Sequence, residues 1–129
     1  MNVKIDTKEK FSVITPQETN ISANMSVELI NLIHSFQQKE VPHIILNLGQ
    51  VESMDEEIRR QIAFAQHQFY ENNCSFVICE MRDSLETALN DDEESEFMNV
   101  TPTESEAWDI VQMEEIEREL LNDFDNPSQ

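Results

Sequence analysis

"HIILNLGQVESMDEEI", residues 43–58, decides the architecture. It opens on a compact apolar run, His43 to Leu48, of strand length and apolar enough for the centre of a sheet. After Gly49 the chain turns, and three consecutive acids, Asp55, Glu56 and Glu57, open a second element. Beyond them Ile58, Ile62, Ala65 and Phe69 recur at steps of four, three and four, the spacing of an amphipathic helix. Ser53 and Glu56 have the spacing of a capping box, and acids suit the positive end of a helix dipole. The acids are therefore already explained as a helix start.

Working outward, "NVKID" (2–6) and "FSVITP" (11–16) read as two short strands, with Phe11, Val13 and Thr15 alternating in the second. "TKEK" between them is a polar turn. Ser22 is placed to cap a helix carrying Met25, Leu29, Leu32, Ile33 and Phe36 on one side, and Pro42 stops its continuation. Downstream, the second helix ends near "ENN" (71–73), and "CSFVICEM" (74–81) is another buried strand. Asp83 and Glu86 bracket the start of a short helix, "SLETALN". "DDEESE" (91–96) is a solvated loop and "FMNV" (97–100) a last strand.

"TPTESEAWDIVQMEEIERELLND" (101–123) is the clearest helix. Thr101 is expected to cap it, with Pro102 in the first helical position and Glu104 completing a capping box. Its apolar set, Ala107, Ile110, Val111, Met113, Ile116, Leu120 and Leu121, predicts a broad face packed on the sheet, with Trp108 at the helix–sheet boundary. The order is β-β-α-β-α-β-α-β-α: an α/β domain over residues 1–122, a mostly parallel sheet packed by helices, and a frayed acidic tail at 123–129.

The totals limit function. The chain has 129 residues and a net charge of −19, which disfavours nucleic acid and anionic membranes. Residues 1–90 carry 13 acids against 7 bases, whereas 91–129 carry 14 acids against Arg118 alone. A basic partner suits such a surface. A single glycine argues against a Gly-rich phosphate loop. His34, His43 and His67 fall in different elements without metal-ligand spacing, and "DDEES" lacks the alternation of a calcium loop, so no metal or cofactor is expected. No nucleophile elbow occurs, which leaves no positive sign of an enzyme. No signal peptide or membrane-spanning run is visible, and Cys74 and Cys79, five apart in the expected strand, point to opposite faces. A cytoplasmic monomer with reduced thiols is the simplest expectation.

The element order, "HIILNLGQVESMDEEI" and the C-terminal helix together resemble the STAS domain, the family of bacterial anti-sigma factor antagonists, over roughly residues 3–122. In that family a strand and short loop end in an apolar residue plus Asp, followed by a serine that a partner anti-sigma kinase phosphorylates. Met54 and Asp55 match the apolar–Asp pair, but Glu56 stands at the serine position, Glu57 follows it, and Ile58 replaces the family's glycine. The resemblance thus implies a non-catalytic partner-switching module in transcription regulation, with Ser53, Met54, Asp55, Glu56 and Glu57 as the partner-binding stretch. It also implies that the usual phosphorylation is impossible at Glu56, whose carboxylate brings about −1 where phosphoserine brings roughly −1.5 to −2. A STAS accessory subunit of a membrane transport complex, docking on an ATPase, is the alternative; a nucleotide-binding module is a third.

Overall fold

The structure is a computed structural model that describes residues 1–90 and 99–125. The acidic segment at 91–96, the first two residues of the expected strand at 97–100, and the end of the expected tail at 126–129 lie outside the described residues.

Five strands form the main sheet: β1 (Val3–Thr7), β2 (Ser12–Pro16), β4 (Ile44–Asn47), β6 (Phe76–Cys79) and β7 (Val100–Thr101), in the order β1-β2-β4-β6-β7. Only β1 runs antiparallel; the β2–β4, β4–β6 and β6–β7 pairings are parallel. The helices are α1 (Ala23–Ser35, continued by a 3-10 turn at Phe36–Gln38), α2 (Glu56–Glu71), α3 (Asp83–Asn90) and α4 (Glu104–Asp125). Two short strands not expected from sequence, β3 (Asn20–Ile21) and β5 (Ser53–Met54), pair in parallel as a small second sheet. Two-residue strands carry no readable period.

Alternation divides the core. Ile14, Ile44, Leu46, Phe76 and Ile78 face α1 and α2, burying Leu29, Ile33, Ile58, Ile62, Ala65 and Phe69. Leu85 of α3 joins that side. Val13, Ile45, Val77 and Cys79 face the other way, onto Ala107 and Val111 of α4. The central strands are apolar on both faces because both are covered.

Several local expectations shift. Ser22 holds the N-cap position of α1, but its side chain makes no capping bond. Thr101 belongs to β7, paired with Cys79, so it cannot cap α4. The cap falls to Thr103, two residues on, whose Oγ1 accepts the Glu106 N–H at 3.3 Å. Asp83 lies inside α3, whose first turn bonds back to the Arg82 carbonyl at 3.0 and 2.9 Å. Cys74 precedes β6, and both cysteines are free.

The largest correction concerns α4. Ala107 and Val111 are buried, yet Met113, Ile116, Leu120 and Leu121 are 58%, 56%, 54% and 60% exposed. Glu104 meets Asn47 at the carboxyl end of β4, while Arg118 reaches Ser75 just before β6. Met113 and Ile116 lie between these two contacts but, at about 100° per residue, point away from Ala107 and Val111, and Leu120 and Leu121 follow beyond Arg118 in a helix of 22 residues, roughly 33 Å, laid on strands of roughly 13 Å. Trp108 sits where expected, edge-on to Phe11 with centroids 5.1 Å apart and Lys8 Nζ 5.3 Å from its ring.

Candidate functional site

The acidic junction lies between β5 and α2. Pairing of β5 with β3 places Ser53 beside Asn20 and Met54 beside Ile21. Met54 turns inward at 7% exposure, next to fully buried Ile58, and the two pin the junction to the core. Ser53, Asp55, Glu56 and Glu57 are left exposed. Of the five expected partner-binding residues, four thus share one surface and Met54 supports it from beneath.

The Ser53–Glu56 capping box expected from spacing is replaced by another arrangement. Ser53 Oγ donates to the Asn20 side chain across the small sheet. Asp55 takes the N-cap position in an extended conformation, and Glu56 is the first helical residue. Its carboxylate is met by Arg60 Nη2 at 2.6 Å, one turn on, and Arg60 Nη1 lies 4.0 Å from Glu57. Arg59 Nη1 donates to the Met54 carbonyl at 2.7 Å. The helix start is thus a cluster of acids met by Arg60, with Arg59 fastened to the backbone just before it.

A third arginine, Arg82, enters from the position just before α3. Arg82 Nε donates to the Gly49 carbonyl at 2.9 Å and its Nη1 to Glu52 at 3.2 Å, while Ser84 Oγ donates to the Glu52 carbonyl at 2.9 Å. Glu52, Arg82 and Ser84, with Asn20, Ser53 and Asp83, line an open depression of about 690 Å³ beside the junction. Phe64, two turns along α2, is 61% exposed. Sequence reasoning passed over Asn20, Glu52, Phe64 and Arg82. Only the Glu56–Arg60 pair carried a readable signal, its spacing of four.

Gly49 has a local reason to be small. A Cβ there would sit 3.1 Å from Asn47 Oδ1, the atom that accepts the Gly49 N–H at 2.9 Å. Asn47 also donates to Glu104 Oε1 at 3.0 Å, and Glu104 Oε2 accepts from Trp108 Nε1 at 3.2 Å. Glu80, held at a φ of 59°, accepts the Glu104 N–H at 2.8 Å. Below this network the Cys79 thiol is pushed up to about 12, chiefly by burial and then by Glu104 and Glu80.

Among the described residues no group of His, Cys, Asp and Glu has the arrangement to hold a metal ion. No helix among them is long and apolar enough to cross a membrane. The junction offers charge, one exposed aromatic ring and a shallow depression, which suit a protein surface better than an enclosed small-molecule site.

The STAS domain profile matches residues 2–107. The chain belongs to the STAS domain family. Among solved structures, this STAS domain is similar to an anti-sigma factor antagonist from Mycobacterium paratuberculosis, with a TM-score of 0.72 and 15% identity over 86% of this chain and 93% of the other. It is similar to RsbS of Moorella thermoacetica bearing a serine-to-glutamate substitution, at 0.69 and 15% over 87% and 96%. It is also similar to part of the murine Slc26a9 anion transporter, at 0.67 and 12% over 81% of this chain but 18% of the transporter. At such identities the likeness is one of fold. No curated protein matches the sequence significantly.

Proposed function

We propose that this STAS domain is a non-catalytic partner-switching module of the anti-sigma factor antagonist type, docking through the β5–α2 junction on an anti-sigma, kinase-like protein. The observation that carries this is the position of Glu56. It is the first residue of α2, exposed, at the helix end whose free N–H groups and partial positive charge favour an anion. By its resemblance to the family motif, Glu56 takes the position of the phosphorylated serine. A carboxylate there is fixed negative charge that no phosphatase removes, so the module is held in one binding state.

The transport reading has one specific support, the fold it shares with a portion of Slc26a9. Affinity purification of the full chain from its host, with identification of what is retained, separates the two. An ATP-binding anti-sigma factor supports the regulatory reading; a transporter or its ATPase alone overturns it. Replacement Glu56→Ser tests the role of the charge: tighter binding to the retained kinase-like partner is expected, and unchanged or weaker binding counts against it.

A further inference from the structure

The outer face of α4 presents apolar side chains that are more than half exposed. Met113, Ile116 and Leu120 follow at steps of three and four, so at about 100° per residue they form one stripe. Ala107 and Val111, the buried residues of the same helix, project from the opposite side. Stability of the fold does not account for the stripe, since each of the three is more than half exposed. Contiguous apolar surface on an otherwise charged molecule marks a place of contact.

The borders say what kind of contact. Glu106 and Glu117 flank one side of the stripe, Gln112 and Glu119 the other, and Asp109 precedes Met113 by one turn; all are exposed. The one basic residue of α4, Arg118, is turned inward and donates to Ser75 Oγ at 3.1 Å. A second copy of this chain laid on the stripe would set acids against acids, which disfavours pairing. An anionic lipid surface meets the same repulsion across a chain of net charge −19. A helix with an apolar face and lysine or arginine along its borders meets both demands at once.

We infer that the Met113–Ile116–Leu120 face of α4 is a second docking surface, fitted to a basic amphipathic helix of a partner protein. It lies on the opposite side of the sheet from α2, because α4 covers one core cluster and α1 and α2 the other. The surface is independent of the β5–α2 junction, and both can be occupied together.

The probe is a fluorescent synthetic peptide of about 18 residues, with leucine at i, i+3, i+4 and i+7 and lysine elsewhere. Titrated with the full chain, its anisotropy is expected to rise saturably and the affinity to fall as salt is raised. The variant Met113→Gln/Ile116→Gln/Leu120→Gln is expected to lose about tenfold or more in affinity. Absence of wild-type binding, or equal binding by the variant, overturns the proposal, the latter because charge alone would then suffice. Amide shifts of the labelled wild-type chain give a measure free of any folding defect in the variant. Perturbation centred on residues 113–121 supports the surface, and perturbation centred elsewhere overturns it. Sedimentation as a dimer that the triple variant abolishes also overturns it, since the occupant would then be a second copy.

Discussion

Asn47 Nδ2 donates to Glu104 Oε1 at 3.0 Å across 57 positions of sequence, while Asn47 Oδ1 accepts the Gly49 N–H at 2.9 Å. One side chain therefore ties the turn that leads into the acidic junction to the first residue of α4. Removing Glu104 strips an acceptor from both Asn47 and Trp108. The variant Glu104→Ala is expected to destabilise the fold by about 1–3 kcal/mol, the range for partly buried donors left unpaired. Urea denaturation measures this; a change within error would show that water replaces the carboxylate without loss.

Gly49→Ala tests the same network from the other side. Its new methyl meets Asn47 Oδ1 at 3.1 Å, so the asparagine must move off the Gly49 amide or off Glu104. A loss of stability is expected in the wild-type background. In Asn47→Ala, where the obstacle is gone, the same substitution should cost much less. Equal costs in the two backgrounds would remove the steric argument.

The Glu56–Arg60 pair is exposed on both sides, 57% and 54%, so its contribution to stability is small. A double-mutant cycle with Glu56→Ser and Arg60→Ala is expected to give a coupling of about 0.3–0.5 kcal/mol in thermal or urea unfolding. Partner affinity should move far more than stability in the same variants. A large stability effect with no binding effect would make the pair structural.

His43 accepts the Ser75 N–H on Nδ1 at 3.0 Å, a bond that requires the neutral ring. Burial lowers its pKa, helped by Arg118 and opposed by Glu115. Folding thus favours the deprotonated imidazole. The stabilisation is fully present above the ordinary histidine value of about 6.5 and is lost as pH falls below it toward the lower folded value. Urea midpoints measured from neutral pH downward should fall more steeply for the native chain than for His43→Gln. Parallel curves would refute the assignment.

Cysteine chemistry follows from burial. Cys79 is fully buried, its thiol pushed up to about 12, and Cys74, half-buried, is raised also by burial. Neither should react quickly with a thiol reagent in the native chain, and Cys74 should react before Cys79. In denaturant both should react together. Rapid native labelling of Cys79 would mean that α4 opens readily.

The main elements were legible because their periods are long and unmixed. Ile58, Ile62, Ala65 and Phe69 all reach the core, and the runs at 44–47 and 76–79 are buried strands. The family resemblance, carried by the element order, the strand–loop–helix at 43–58 and the C-terminal helix together, agrees with the STAS match over residues 2–107. What sequence could not carry was pairing between distant short segments. Asn20 beside Ser53, and Arg82 on Gly49 and Glu52, arise only when the chain closes on itself. Strand β7 claimed Thr101, and so moved the cap of α4 to Thr103. The apolar set of α4 was only half right: Ala107, Ile110 and Val111 pack on the sheet, whereas Met113, Ile116, Leu120 and Leu121 are exposed, because composition does not reveal which apolar positions of a long helix meet the sheet.

That single helix has a further consequence. Three helices shield one side of the sheet, but among the described residues Phe11, Val13, Ile45 and Val77 are covered by a single helix, α4. The domain has a thick side and a thin side, and the thin side should open first, as one cooperative unit, in native-state hydrogen exchange. A partner gripping the outer surface of α4 would act there as a splint, slowing exchange in strands that it never touches.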